Sequence, residues 1–127
     1  RIQGAQATLG KALEDVSMAR GKLVYLQSHG RDAEARKRIN SLVLVAHADV
    51  REVWELMFAW MPVDSLARTI RTLALRDVAP ALDNLHSAAQ CRNATSATRQ
   101  RCHDALKQAE IHLETAVQFS LPLPEGV

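Results

Sequence analysis

The stretch IQGAQATLGKALEDVSMARGKLVYL, residues 2–26, decides the fold class. Ile2, Ala5, Leu9, Ala12, Val16, Ala19, Leu23 and Leu26 recur at alternating steps of three and four. Positions so spaced share one face of a helix, and the run is an unbroken heptad stripe. A helix with one apolar stripe needs partners to bury it. Beyond it, Gly30 is expected as a left-handed C-cap and Asp32 as the N-cap of a second helix.

The second helix repeats the stripe with Ile39, Val43, Ala46, Val50, Val53, Met57 and Trp60. Leu44, Val45, Trp54, Leu56 and Phe58 widen its apolar surface. Such a helix is either the most buried of a bundle or part of a dimer interface. Pro62 stops it, because the residue before a proline is pushed out of helical geometry. A third helix is expected from Asp64 or Ser65, with Leu66, Ile70 and Leu73 inward and a kink or break near Pro80. Ala81, Leu85 and Ala88 resume the pattern up to Cys91, and residues 92–98 read as a loop. A fourth helix presents Cys102, Leu106, Ala109, Leu113 and Ala116, and Leu121-Pro122-Leu123-Pro124 ends it.

Four amphipathic helices with short connections predict an all-α, up-down-up-down four-helix bundle over residues 1–120, with a proline-containing tail at 121–127. The bulk properties agree with one soluble domain. The chain has 127 residues, 47% of them hydrophobic and only 4% aromatic, which favours helix over sheet. Residues 42–61 are apolar enough to suggest a membrane span, but Asp49, Arg51, Glu52 and Glu55 are costly at a bilayer centre. The chain begins at Arg1, as expected of a processed or excised piece, and no targeting signal is visible.

This topology puts the first and third connections at one end. Arg31, Arg36, Lys37, Arg38, Arg92, Arg99 and Arg101 are then expected at a single basic pole, with His29 and His103 near it. These cations are the candidate site for an anion or an acidic partner. A net charge of only +2 and the absence of an expected aromatic at that pole disfavour nucleic acid. The opposite pole receives Trp54, Phe58, Trp60 and Met61 as apolar partner-binding candidates, together with Glu52, Glu55, Asp64 and Glu114.

No enzyme signature is found. The chain lacks a glycine phosphate loop, a Gly-x-Ser-x-Gly elbow, a His-Glu-x-x-His pair and the Glu-x-x-His of di-iron bundles. No catalytic residue, cofactor or metal is therefore expected. The strongest alternative is a metal- or haem-binding bundle, for which His86, Cys91, Cys102 and His103 form the one cluster to weigh, at a spacing that matches no common zinc pattern. The only two cysteines, Cys91 and Cys102, are expected instead to form a disulfide across a hairpin loop. Closing such a loop would stabilise by roughly 2–3 kcal/mol and would imply an oxidising compartment.

The functional expectation is a non-enzymatic, extracytoplasmic bundle that binds a small-molecule ligand or a protein partner, as a sensor domain or an adaptor. Pro122 and Pro124 break helical continuity at the end of the bundle, which favours a free-standing protein or an adaptor over a receptor sensor domain. A homodimer through the second helix fits its wide apolar face. A cytosolic binder of nucleic acid or of an acidic partner is the further alternative.

Overall fold

The computed structural model describes residues 2–59, 72–90 and 96–118. These form four helices: α1 (Ile2–Tyr25), α2 (Ala33–Ala59), α3 (a π-helical turn, Ala74–Val78, running into the α-helix Ala79–Ala89) and α4 (Ser96–Gln118). No strand occurs among the described residues. The expected start of the third helix near Asp64, Leu66 and Ile70, and the tail at 121–127, lie outside them.

Each helix packs against two neighbours, α1 on α2 and α4, and α3 on α2 and α4. Side-chain contacts set the directions. Lys11 reaches Asp49, Arg20 reaches Glu110, and His112 reaches Asp77, so chain order runs oppositely in neighbouring helices. The bundle is up-down-up-down.

The heptad stripes supply the core. From Ala5 to Leu26 every stripe position of α1 is buried, as are Val43, Ala46, Val50, Val53 and Met57 of α2. On α4, Cys102, Leu106, Ala109, Leu113 and Ala116 are all at most 3% exposed, which confirms the stripe in full. Alanine at Ala12, Ala19, Ala46, Ala81 and Ala109 is wholly buried. Side chains this small leave room for neighbouring helices to approach closely at these positions. The wider face of α2 divides: Leu42 is buried, whereas Leu44 and Val45 are each 44% exposed. Four heptad helices can cover only one face each, so the surplus apolar positions of α2 stay outside.

The interruption expected near Pro80 is a π-turn in a continuous helix. The Ala79 N–H bonds to the Ala74 carbonyl five residues back. Two causes meet here. Proline at 80 has no N–H to give to the carbonyl four residues before it, so a regular α-ladder is already broken there. The apolar phase also changes: Leu66, Ile70 and Leu73 are one residue out of step with Ala74, Val78, Ala81, Leu85 and Ala88. A π-turn inserts one residue into a helix. It lets Leu73, Ala74, Asp77 and Val78 all be buried in succession.

Two local expectations need correction. Asp32 caps α2 as expected, its Oδ1 accepting the Ala35 N–H at 3.0 Å. Gly30, however, is not a left-handed cap, because its φ is not positive. Helix α1 stops at Tyr25 and tightens through Gln27 N–H to Val24 and Ser28 N–H to Tyr25. Arg99 of α4 donates Nη1 to the Leu26 carbonyl at 3.1 Å and so does part of the work assigned to Gly30. The polar run expected as a loop is partly helical, since α4 starts at Ser96.

Candidate functional site

The Arg99–Leu26 contact settles where the basic pole lies: the first turn of α4 abuts the turn between α1 and α2. Arg31, Arg36, Lys37, Arg38, Arg99 and Arg101 are thereby brought to one end, as the topology requires, while Arg92 lies outside the described residues. They are not equivalent. Arg99 is half-buried and spent on a backbone carbonyl, and Arg36 donates Nη2 to the Gly30 carbonyl. Lys37 stands 3.9 Å from Glu34. Arg31, Arg38 and Arg101 are exposed and make no side-chain hydrogen bond or ion pair among the described residues.

An aromatic does stand at this pole, contrary to expectation. Tyr25, 42% exposed, stacks on His29 with ring centroids 4.0 Å apart and planes 1° from parallel. Residues 25 and 29 are one helical turn apart, and the turn after α1 keeps that relation, with the His29 N–H on the Tyr25 carbonyl. The Tyr25 hydroxyl donates to Asp32 at 3.2 Å. Burial and the Asp32 carboxylate raise the tyrosine pKa. Asp32 is held below its ordinary value, first by the Ala35 N–H and then by the Tyr25 hydroxyl and Glu34 N–H. Tyr25 borders two shallow grooves. One, of about 800 Å3, runs between α1 and the start of α2 past Met18, Gly21, Lys22 and Arg38. The other, of about 490 Å3, follows the turn past Ser28, His29 and Arg31. Tyr25 was absent from the sequence candidates because it falls off the core stripe; only its place at the very end of α1 marks it.

At the opposite pole Trp54 is half-buried and packs against the core. Phe58 lies in the last turn of α2, and its side chain, like Trp60 and Met61, lies outside the described part. Trp54 lines a groove of about 410 Å3 between α2 and α3, with His47, Arg51, Glu55, Leu82, Asp83 and His86. His47 and His86 face each other across it, centroids 5.9 Å apart. Burial, then His86, then Arg51 lower the His47 pKa.

Three polar clasps escaped the sequence reading. Arg20 grips Glu110 through two hydrogen bonds of 3.0 and 2.8 Å, with Ser17 on the same carboxylate at 3.0 Å. Lys11 bridges Asp15 and Asp49. Asp77, the only buried charged residue among those described, lies 2.8 Å from Arg76 and 3.4 Å from His112. None is a contiguous motif, because each joins residues 38 to 93 positions apart or depends on the π-turn.

Of the expected disulfide pair, Cys102 is buried on α4 and no described cysteine is a free thiol. Cys91 lies outside the described residues. Cys91 is therefore also missing from the described part of the cluster His86, Cys91, Cys102 and His103, in which His103 is half-buried with an Nδ1 that has no hydrogen-bond partner among the described residues. No group of three or more potential metal donors is assembled among the described residues. None of the described helices is long and apolar enough to cross a membrane.

The fold and its poles thus define an antiparallel four-helix bundle with a cationic end. No family model matches the chain, and no curated protein or solved structure is detectably similar to it.

Proposed function

We propose that the chain is a non-enzymatic binding module that works outside the cytoplasm and holds an anionic group of a partner or ligand at its basic pole. The observation that carries this reading is the pair of guanidinium groups, Arg31 and Arg38, that have no partner among the described residues and line the grooves bordering the exposed Tyr25–His29 stack. An unpaired arginine keeps its fork of donors for carboxylate or phosphate. The adjoining tyrosine offers a flat apolar surface at low entropic cost. Asp32 and Glu34 in the same groove restrict the ligand to one whose negative charge meets the arginines and not the floor.

The test is retention on immobilised heparin and on polyphosphate at low salt, followed by elution with salt. Each phosphate neutralised contributes a slope of roughly −0.7 to −0.9 in log K against log salt. Two such arginines therefore predict a slope of about −1.4 to −1.8, reduced in Arg31→Glu and Arg38→Glu. Absence of retention by the parent chain at low salt removes the reading.

The export part of the proposal rests on a Cys91–Cys102 disulfide. It is supported by the buried position of Cys102 and the absence of a free described thiol. Two thiols titrated in the unreduced native protein would overturn it. A homodimer through α2 is supported by the adjacent exposed Leu44 and Val45. Light scattering that finds a monomer at all concentrations up to the millimolar range would remove that element.

A further inference from the structure

We propose that His47 of α2 and His86 of α3 chelate a single divalent ion of the zinc, nickel or copper group across the bundle face. Water would complete the coordination. The site is distinct from the basic pole and does not depend on its reading.

The argument is geometric. Metal–nitrogen bonds are about 2.0–2.1 Å, and a ring nitrogen lies about 1.1 Å from its centroid. Two imidazoles on one ion then have centroids roughly 5.2 Å apart at a tetrahedral angle and about 6.4 Å apart in line. The observed separation is 5.9 Å, with the rings tilted by 40°. The centroid separation lies between those two limits, and the proposal requires only that ring rotation turn one nitrogen of each imidazole toward a common point.

The surroundings suit the ion. Both rings line the same open groove, so a hydrated cation can enter. Asp83, one turn before His86, adds negative charge to the groove, and Glu55 holds the neighbouring Arg51 guanidinium at 3.2 Å. Metal takes the neutral imidazole. The Gln90 amide meets His86 Nε2 at 3.0 Å. Turned by 180°, it presents its oxygen to Nε2–H and leaves Nδ1 as the ligand, the usual way in which a ligating histidine is oriented. Two protein donors, with no group of three assembled among the described residues, give an exchangeable site rather than a permanently filled one.

The test uses the untagged chain stripped with a chelator. Calorimetric titration with Zn2+ is expected to show one equivalent bound, weakened by at least about tenfold in His47→Gln and in His86→Gln, and unchanged in His29→Gln. Cu2+ is expected to quench fluorescence in the parent and to lose part of that effect in Trp54→Phe, since Trp54 shares the groove. Should a histidine variant fail to fold, paramagnetic broadening by Cu2+ on the parent chain locates the ion without it, and is expected around residues 47 and 86. No binding by the parent, undiminished binding by both histidine variants, or broadening centred on His103 or His112 would each overturn the proposal.

Discussion

Deletion of Leu75 probes why a π-turn interrupts α3. Leu75 lies within that turn and is 56% exposed, so removing it takes nothing from the core. The apolar phase in the sequence shifts by one residue at this turn: Leu66, Ile70 and Leu73 precede it, and Ala74, Val78, Ala81, Leu85 and Ala88 follow the α3 phase. With one residue removed, Leu73, Val78, Ala81, Leu85 and Ala88 fall at steps of four, three, four and three. An ordinary α-helix can then bury the same side chains. Asp77, buried only because the wider turn carries it inward, moves to the flank of the stripe.

The magnitude depends on Pro80. Inside a regular α-helix its ring meets the carbonyl four residues back, at a cost of about 3 kcal/mol. Deletion of Leu75 alone is therefore expected to destabilise by about 3 kcal/mol, and deletion combined with Pro80→Ala by less than about 1 kcal/mol. Deletion of exposed Lys107 from α4 is the control. It turns Ala109, Leu113 and Ala116 by about 100° away from the core. Loss of one buried leucine costs about 2–5 kcal/mol, and Leu113 is completely buried. That deletion should leave little cooperative folding. Urea unfolding followed by circular dichroism measures all three. If the Leu75 deletion with Pro80→Ala is as unstable as the Lys107 deletion, the one-residue offset is not what the π-turn accommodates.

Two further predictions concern one of the clasps and the His47 groove. In a double-mutant cycle, Arg20→Ala and Glu110→Ala are expected to show a coupling of about 1–2 kcal/mol, between the values for exposed and buried pairs, because the Arg20 side chain is 35% exposed and Glu110 only 12%; coupling within error of zero would mean the pair is held by packing alone. At His47 the folded-state pKa lies below the ordinary 6.5, so between the two values the unfolded chain binds the extra proton. Its contribution is complete above about 6.5 and is lost as pH falls from there through the folded value. Thermal unfolding between pH 5 and 8 should therefore show a smaller fall toward acid in His47→Gln, with His86, Arg51, Glu55 and Asp83 left in place around it; identical pH profiles would refute the assignment.

What was legible in the sequence is what a helix face encodes locally. The stripe on α1 and that on α4 are read correctly because a heptad needs no knowledge of its partner, only that one exists. The topology follows from short connections, and it carried the correct inference that Arg31 and Arg99 share one pole. Pairings across the bundle were hidden for the complementary reason. Arg20 and Glu110 are each an ordinary charge at the edge of a stripe, and nothing within either helix states that they meet. His47 and His86 could be placed beside the core, one on each helix, but whether they fell opposite each other depended on the axial register of α2 against α3. That register is in turn fixed downstream of the π-turn, so the offset between Leu73 and Ala74 decides which residues of α3 face His47. The misreading of Tyr25 has the same origin. A stripe assigns a residue to inside or outside, but not to an end of the molecule, and Tyr25, off the stripe in the last turn of α1, stacks on His29 one turn further on at the pole that holds the arginines. The candidate functions of this chain therefore reside in the relations between helices, and the decisive perturbations are those that shift one helix against another without altering its own stripe.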